Sequence, residues 1–489
     1  MLALLAAALV APPSLLIQGG RVVDGSGKAP FAAAIRIVGD QILEVGQLNR
    51  KPGETVFSAH GLHIAPGFID AHSHVDGGIF AQPTAPAATR QGITTAVVGQ
   101  DGGHPMPLLE WTRRLKSSPV ALNLAAFAGH GTIRSRVMKD DYRRPATPSE
   151  IKQMKELLEQ ELKAGALGLS TGLEYDPGLY SELPEIVELA RAAAAHGGSY
   201  ITHVRDEENE ALTAFEEAIE VGFQAKVPVQ ISHIKLASEP VWARAGEVVR
   251  MLQRARGKGL RLTADVYPYT FWQSSITVLI PHRNFGDVRA WRTGLEEVGG
   301  PRNVTLTTFT PDRSWEGQTL AELSERLSRD PVELVIEIVR RTRDGMGSES
   351  VVVQAMVEED LRTFVRDPNV MFCSDGGLSS KHPRGAGSFP RILAKYVREE
   401  AVLTLPEAIR KMTSLPARTF GFRDRGLIRP GMRADLVLFA PDKIRDRATL
   451  EQPYLPPVGI SHVMVNGRWV VRRGLVTGAR PGRFLARMR

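Results

Sequence analysis

Two histidines, His72 and His74, end the apolar run GFIDAHSH at residues 67–74. Side chains alternate between the two faces of a β-strand, so residues two positions apart point to the same side. Two imidazoles on one face at the end of a strand provide half of a divalent-metal site. The pair therefore predicts metal-assisted chemistry, provided that other parts of the chain supply the remaining ligands.

Further candidate ligands stand at the ends of other short apolar runs. Imidazole and carboxylate groups are the donors that hold one or two divalent ions. A carboxylate beside such an ion is also suited to act as a general base, which takes a proton from water and returns it to a leaving amine. We expect that role for Asp375, although an aspartate in the string FCSDGG also suits the cap of a helix or turn. The additional candidates are Asp101, His203, His233 and Asp375.

Eight apolar runs of strand length must position these side chains. Amphipathic segments such as SEIKQMKELLEQELKAG separate them and carry helical periodicity. Buried parallel strands alternating with helices predict a (β/α)8 TIM barrel, whose active site lies at the C-terminal ends of the strands. The runs span residues 65–74, 92–101, 120–131, 166–174, 199–206, 227–235, 260–269 and 370–377.

Both ends of the chain are rich in short strands joined by Gly and Pro turns. We predict that residues 15–62 and 425–489 share one small β-sandwich domain. The barrel then occupies residues 63–424. Its regular spacing breaks once, and residues 282–345 are predicted to be a subdomain inserted after the seventh strand.

Composition narrows the class of protein. The 489 residues are 43% hydrophobic and 24% charged, as in ordinary globular proteins. The net charge of +7 fits a basic surface, and no nucleic-acid-binding module accompanies it. The single cysteine, Cys373, excludes an internal disulfide and a Cys-rich zinc site.

Residues 1–14 form an apolar segment that resembles the hydrophobic region of a signal peptide, although no Lys or Arg precedes its apolar run. It is too short to span a bilayer, so no membrane association is predicted. The protein is expected to be cytoplasmic, or exported to the periplasm or outside the cell if residues 1–12 act as a signal peptide. The sequence does not indicate an oligomeric state.

From about residue 15 onward the chain resembles the amidohydrolase superfamily and, within it, the N-acyl-D-amino-acid deacylases (D-aminoacylases). Several of the matching strings are specific to that branch. They are GFIDAHSH, GITTAVVGQDG, GHGTIRSRVM, RPATPSE, GALGLSTGLEYDPG, GGSYITHVRDE, ISHIK, ADVYPY, SDGG, HPRGAGSFPR and LIRPGMRADLVLF.

The resemblance implies a zinc site. His203 and His233 would hold the tightly bound ion, and the family's third ligand is usually a cysteine in a string such as GNCG. This chain reads GQDG there, so Asp101 replaces the thiolate. A carboxylate is a harder ligand than sulfur, and it is compatible with one zinc ion, with two bridged ions, or with manganese or cobalt. A second, weaker position would consist of His72, His74 and Asp375.

The resemblance also implies how substrate is bound. Arg384, in HPRG, matches the family arginine that binds the substrate carboxylate, and a guanidinium suits that bidentate contact. The alternative for Arg384 is a surface salt bridge. Lys235, in SHIK, and Tyr267, in DVYPY, match positions that contact the same carboxylate or the scissile carbonyl.

The function predicted on this basis is the metal-dependent hydrolysis of small N-acyl-D-amino acids to a carboxylate and a free D-amino acid. Two alternatives stay open. One is another amide hydrolase on the same scaffold, either a D-specific dipeptidase or a cyclic-amide hydrolase. The other is a non-catalytic homologue, which competent side chains at all six metal and base positions disfavour.

Overall fold

The computed structural model describes residues 14–487. The predicted signal-like segment at residues 1–14 lies outside this range except for Ser14, which begins a strand. None of the helices within residues 14–487 is long and apolar enough to cross a membrane.

Eight parallel strands form a barrel, which confirms the predicted fold class. The strands are almost entirely buried, because side chains fill the barrel and helices cover its outside. The third strand breaks at Phe127, so its first half pairs with the second strand and its second half with the fourth. In chain order the barrel strands are Phe68–Asp70, Ile93–Val98, Asn123–Ala126 with Ala128–Gly129, Gly168–Gly172, Ser199–His203, Val229–Ile231, Leu262–Val266 and Val370–Phe372.

The helices around the barrel are amphipathic. In Pro148–Lys163, for example, Met154, Leu158 and Leu162 recur every four residues and are buried, and a capping box from Thr147 begins the helix. The barrel helices are Pro86–Thr89, Leu108–Ser117, His130–Met138, Pro148–Lys163, Leu183–Ala195, Ala211–Ala225, Ala245–Gly257, Glu358–Arg366, Arg384–Arg391 with its π-helical continuation Ile392–Glu399, Leu405–Met412 and Ser414–Phe420. Short 3₁₀ turns are Val75–Gly77, Lys139–Asp141, Gly178–Tyr180, Glu239–Val241, Ile276–Leu279, Pro301–Asn303, Arg313–Trp315 and Arg343–Gly345.

Strands from both ends of the described chain form two sheets that share one apolar core, in which Ile17, Ile35 and Leu438 are fully buried. The first sheet contains Gln41–Gly46, Ala34–Val38, Ser14–Gln18 and Thr55–Ser58. The second contains Leu475–Val476, Arg468–Arg472, Ile460–Val465, Leu436–Phe439, His63–Pro66, Arg21–Val22 and Phe31–Ala32.

The predicted boundary at residue 62 needs a correction. The strand His63–Pro66, which was predicted to belong to the barrel, pairs with Leu436–Phe439 in the terminal sheet. Gly67 then separates it from the first barrel strand. A Cβ atom there would lie 2.2 Å from Thr94 Oγ1, so only glycine permits this close passage between the two layers.

The subdomain inserted after the seventh barrel strand is longer at both ends than the predicted range 282–345. It contains an antiparallel sheet whose outermost residues in sequence, Trp272 and Val353, are directly paired. Pairing between residues so far apart in sequence leaves no local signal, which is why the range was too short. The sheet consists of Trp272–Ser274, Glu349–Val353, Val304–Phe309 and Gln318–Thr319, with helices Val288–Glu297, Leu320–Leu327 and Pro331–Thr342.

Candidate metal centre

His72 and His74 lie immediately after the first barrel strand, where the barrel closes on its eighth strand. The Asp375 N–H donates to the His72 carbonyl at 2.9 Å, and the His74 N–H donates to the Gly376 carbonyl at 3.0 Å. These bonds hold the two chain segments side by side. The Nε2 atoms of the two histidines are 3.3 Å apart, so the structure brings this pair together as the sequence predicts.

Asp101 follows the second strand and adopts a left-handed backbone conformation with φ of 52°, which aspartate tolerates better than most residues. Its Oδ2 atom is 3.3 Å from His72 Nε2 and 3.2 Å from His74 Nε2. Its Oδ1 atom is 3.4 Å from His233 Nε2, is buried, and accepts no hydrogen bond. A buried carboxylate oxygen without a donor is costly unless it binds something else.

His203 and His233 lie at the ends of the fifth and sixth strands. His203 Nδ1 is 3.1 Å from His233 Nε2, so both rings present a nitrogen to the same point. The His233 backbone N–H is fixed by Asp265 Oδ1 at 2.8 Å. The structure therefore places three of the predicted histidines within 3.4 Å of Asp101 and the fourth, His203, next to His233.

Two buried glutamates orient these two imidazoles, and the sequence analysis missed both. Glu174 Oε2 is 2.6 Å from His203 Nε2, and Glu207 Oε1 is 3.1 Å from His233 Nδ1. A carboxylate that accepts the proton of one ring nitrogen leaves the lone pair of the other nitrogen free for a metal. His203 is thus set to offer Nδ1 and His233 to offer Nε2. Glu174 ends the run ALGLSTGLE after the fourth strand, so the strand-end rule that found the other residues could also have found it.

Asp375 lies between the histidine pair and Arg384. Its Oδ1 atom is 3.2 Å from His74 Nε2, and its Oδ2 atom is 2.6 Å from Arg384 Nη1. The Arg384 guanidinium stacks over the Tyr267 ring at 4.7 Å, and its Nε is buried without a hydrogen-bond partner. Arg384 is therefore no surface residue, and part of its donor fork has no acceptor.

Lys235 does not stand free in the site. Its Nζ atom lies 2.6 Å from both carboxylate oxygens of Glu207 and 2.8 Å from His233 Nδ1. The ammonium charge is thereby balanced, and a direct contact with substrate would require Lys235 to leave Glu207. Tyr267 is fully buried, and its hydroxyl lies 3.9 Å from Met356 Sδ.

The two carboxylates that face the histidines are ionised. Burial alone would raise the pKa of Asp101, but His72 and His233 outweigh that effect and hold the pKa well below its usual range. Burial would likewise raise the pKa of Asp375, and the Arg384 guanidinium and His233 hold it well below its usual range. Both side chains are therefore ready to bind a cation, and Asp375 is able to accept a proton.

The charge state of His203 fits the same purpose. Burial lowers the pKa of His203 to about 4, although Glu207 opposes the shift. A neutral imidazole is the form that ligates a metal, so desolvation keeps His203 in the competent state near neutral pH.

The residues fit a divalent metal. Ligand atoms of His72, Asp101, His233 and Asp375 all lie within 4.8 Å of one another. Two ligands on one tetrahedral zinc ion, each at about 2.0–2.1 Å, are about 3.3 Å apart. The separations around Asp101 match that value, and its unpartnered Oδ1 atom needs a positive partner. The cluster opens into a cavity of about 680 Å³ at the C-terminal ends of the barrel strands.

Comparisons with known families, sequences and solved structures show which proteins this chain is similar to. The Amidohydrolase family matches residues 55–277 and 289–471. The chain is 36% identical to N-acyl-D-glutamate deacylase of Alcaligenes xylosoxydans xylosoxydans, covering 97% of this chain and 96% of the relative. It is 33% identical to D-aminoacylase of the same organism, covering 97% and 98%. A crystal structure of N-acyl-D-glutamate deacylase from Bordetella bronchiseptica, complexed with zinc and a phosphonate inhibitor that mimics the tetrahedral intermediate, superposes with a TM-score of 0.87 at 32% identity, covering 97% of this chain and all of that one (100%).

Proposed function

The chain belongs to the amidohydrolase family, and we propose that it is a zinc-dependent deacylase that hydrolyses N-acyl-D-amino acids to a carboxylate and a free D-amino acid. The observation that carries this proposal is the ionised Asp101, which lies within 3.4 Å of His72, His74 and His233, with the pair formed by Asp375 and Arg384 next to the same histidines.

Asp101 is positioned to bridge two ligand sets. Its Oδ1 atom faces His233, next to His203, and its Oδ2 atom faces His72 and His74. We assign the tighter zinc position to the first set and a weaker position, with Asp375 Oδ1, to the second. Zinc bound there would polarise the scissile carbonyl and increase the acidity of the attacking water. Manganese or cobalt would be compatible with the same donors.

Asp375 is assigned the proton transfers. As an ionised carboxylate it accepts a proton from the attacking water at Oδ1, the oxygen that faces the histidine pair. It then gives this proton to the amide nitrogen as the C–N bond breaks, which releases a neutral amine and restores the carboxylate. The Arg384 contact holds Oδ2 and so keeps Oδ1 directed toward the reaction centre.

Arg384 is assigned the binding of the substrate α-carboxylate, because its buried Nε lacks an acceptor. Stacking on Tyr267 holds the guanidinium plane in place. Lys235 is assigned a positioning role, because its contact with Glu207 keeps that carboxylate next to His233.

The test is the release of free amine from N-acetyl-D- and N-acetyl-L-amino acids, measured side by side on zinc-loaded and chelator-treated protein. The proposal predicts release from the D series only, and loss of that release after chelation. If neither series is hydrolysed by zinc-loaded protein, the proposal is wrong. Dipeptides with a D-residue and cyclic amides, included in the same panel, would then reveal the two alternative amide hydrolases.

A further inference from the structure

The cavity above the metal centre has one wall that comes from the inserted subdomain. This wall faces the ligand cluster and is uncharged, with one indole, one aliphatic side chain and several small polar side chains. A substrate held by its α-carboxylate at Arg384 and by its acyl group at the metal centre has only the remaining lining for its side chain. The insert residues in this wall are Trp272, Gln273, Ser274, Ser275, Val278 and Ser350.

Two basic side chains other than histidine line the cavity, and each already has an acidic partner. Lys235 is held by both oxygens of Glu207 at 2.6 Å. Arg384 contacts Asp375 at 2.6 Å through Nη1, and its buried Nε has no partner. The described lining therefore has capacity for one substrate carboxylate, which the α-carboxylate takes.

Basic residues just outside the cavity are also engaged. Arg283 donates to the Glu174 carbonyl at 2.5 Å and to the Thr277 carbonyl at 2.8 Å. Lys381 donates to the Thr307 carbonyl and to Glu316, each at 2.7 Å. Each cation also has an acidic partner already, Asp176 at 3.3 Å for Arg283 and Glu316 for Lys381.

Apart from the histidines of the metal centre, the lining has more acidic than basic side chains. A second carboxylate on the substrate would enter a buried site without a partner, where an unpaired charge is strongly disfavoured. The lining has five acidic residues, which are Asp101, Glu174, Glu207, Glu208 and Asp375.

We propose that this enzyme accepts N-acyl-D-amino acids whose side chain has no negative charge, and that it rejects N-acyl-D-glutamate and N-acyl-D-aspartate. The inference rests on the proposed deacylase function and specifies its substrate class. It separates this chain from the relative named for N-acyl-D-glutamate, to which it is similar over nearly its whole length.

Two nearly isosteric substrate pairs test the charge alone. In N-acetyl-D-glutamine against N-acetyl-D-glutamate, and N-acetyl-D-asparagine against N-acetyl-D-aspartate, the side chains differ by an amide in place of a carboxylate. We expect kcat/KM to favour the amide in each pair by about 100-fold or more. Equal or higher kcat/KM for the acidic members would overturn the inference while leaving the deacylase function intact. If zinc-loaded protein hydrolyses no N-acetyl-D-amino acid, the deacylase function itself fails.

A charge added to the insert wall provides an independent test. Ser274→Lys introduces an ammonium group into the wall, and Ser274→Met introduces a side chain of similar length without charge. We expect Ser274→Lys to raise the kcat/KM ratio of N-acetyl-D-glutamate to N-acetyl-D-glutamine about tenfold, and Ser274→Met to leave that ratio unchanged. An equal change in both variants would show that size rather than charge sets the preference, and would contradict the inference.

Discussion

Asp101 and Asp435 are aspartates with little solvent exposure, 14% and 4% of their side chains, and they lie at opposite ends of the barrel. Asp435 lies near the N-terminal ends of the strands, where its Oδ1 accepts from the Asn466 N–H at 2.6 Å and its Oδ2 from Asn123 Nδ2 at 3.2 Å and from Arg425. Asp101, at the C-terminal ends, has an Oδ1 atom with no donor and is otherwise surrounded by imidazole nitrogens.

The difference shows how a buried carboxylate reveals its role. Low solvent exposure alone does not distinguish the roles of the two side chains, because structural and functional carboxylates are both largely removed from water. Completeness of hydrogen bonding does separate them. Asp435 has fixed partners and ties the terminal sheets to the third barrel strand, which is a structural role. The Oδ1 atom of Asp101 lacks a hydrogen-bond donor, and a bound ligand would supply the missing partner, as expected at the catalytic end of such a barrel.

The largest expected effect comes from the catalytic end. Asp375→Asn removes the proton acceptor but keeps the size of the side chain, so kcat should fall by about 10³–10⁴-fold. Zinc at the position formed by His203, His233 and Asp101 should stay bound, which elemental analysis checks. Retained activity would show that the general base is another residue.

A substitution at Asp435, at the opposite end of the barrel, should lower the stability of the protein rather than its activity. Asp435→Ala removes the buried carboxylate that contacts Arg425 Nη1 and leaves this buried guanidinium only the half-exposed Asp424 at 3.3 Å, so we expect a loss of about 3–5 kcal/mol in the free energy of unfolding. Denaturant titration measures this loss, with the exposed Asp442→Ala as the control. The kcat/KM of the folded enzyme should be unchanged. A loss of activity without a loss of stability would break the comparison between the two ends.

A smaller effect, on zinc affinity, should follow from a substitution that weakens the orientation of one metal ligand, His203. Glu174→Gln replaces the carboxylate that accepts the His203 Nε2 proton, which weakens the orientation and basicity of the ring. We expect the zinc dissociation constant, measured by competition with a chelator, to rise by about 10–100-fold. The exposed Glu182→Gln, at the residue before helix Leu183–Ala195, should leave this dissociation constant unaltered. Equal zinc affinity in both variants would contradict the positioning role.

The smallest effect concerns a satisfied carboxylate in the terminal sheets. Hydrogen bonds from Arg36, which outweigh burial, lower the pKa of Glu54 from 4.5 to about 2 in the folded protein. Because the folded pKa is below the unfolded one, this contribution to stability is complete above pH 4.5 and is lost as the pH falls toward 2. Stability measured against pH in wild type and Glu54→Gln should therefore differ most above pH 4.5 and converge below it. A constant difference would contradict this assignment.

Much of the site could be predicted because it follows from regular geometry. His72, His74, Asp101, His203, His233 and Asp375 stand at or just beyond strand ends, and parallel strands in a barrel bring those ends together. The eight apolar runs therefore determined both the fold and the residues that meet.

The remaining features depend on contacts that no local pattern records. The roles of Glu174 and Glu207 depend on which imidazole nitrogen each carboxylate reaches. That Glu207 neutralises Lys235 could not be predicted either, because this contact depends on the path of the loop after the fifth strand. The boundaries of the insert depend on the pairing of Trp272 with Val353, and neither of the two short strands carries a sequence signal for that pairing.

The most direct test of the account is the zinc content of three proteins prepared in parallel: wild type, Asp101→Ala and Asp435→Ala. The account predicts that wild type and Asp435→Ala bind zinc after equilibration with the metal and dialysis, and that Asp101→Ala loses it. Zinc content in Asp101→Ala equal to that of wild type would contradict the claim that this carboxylate holds the metal.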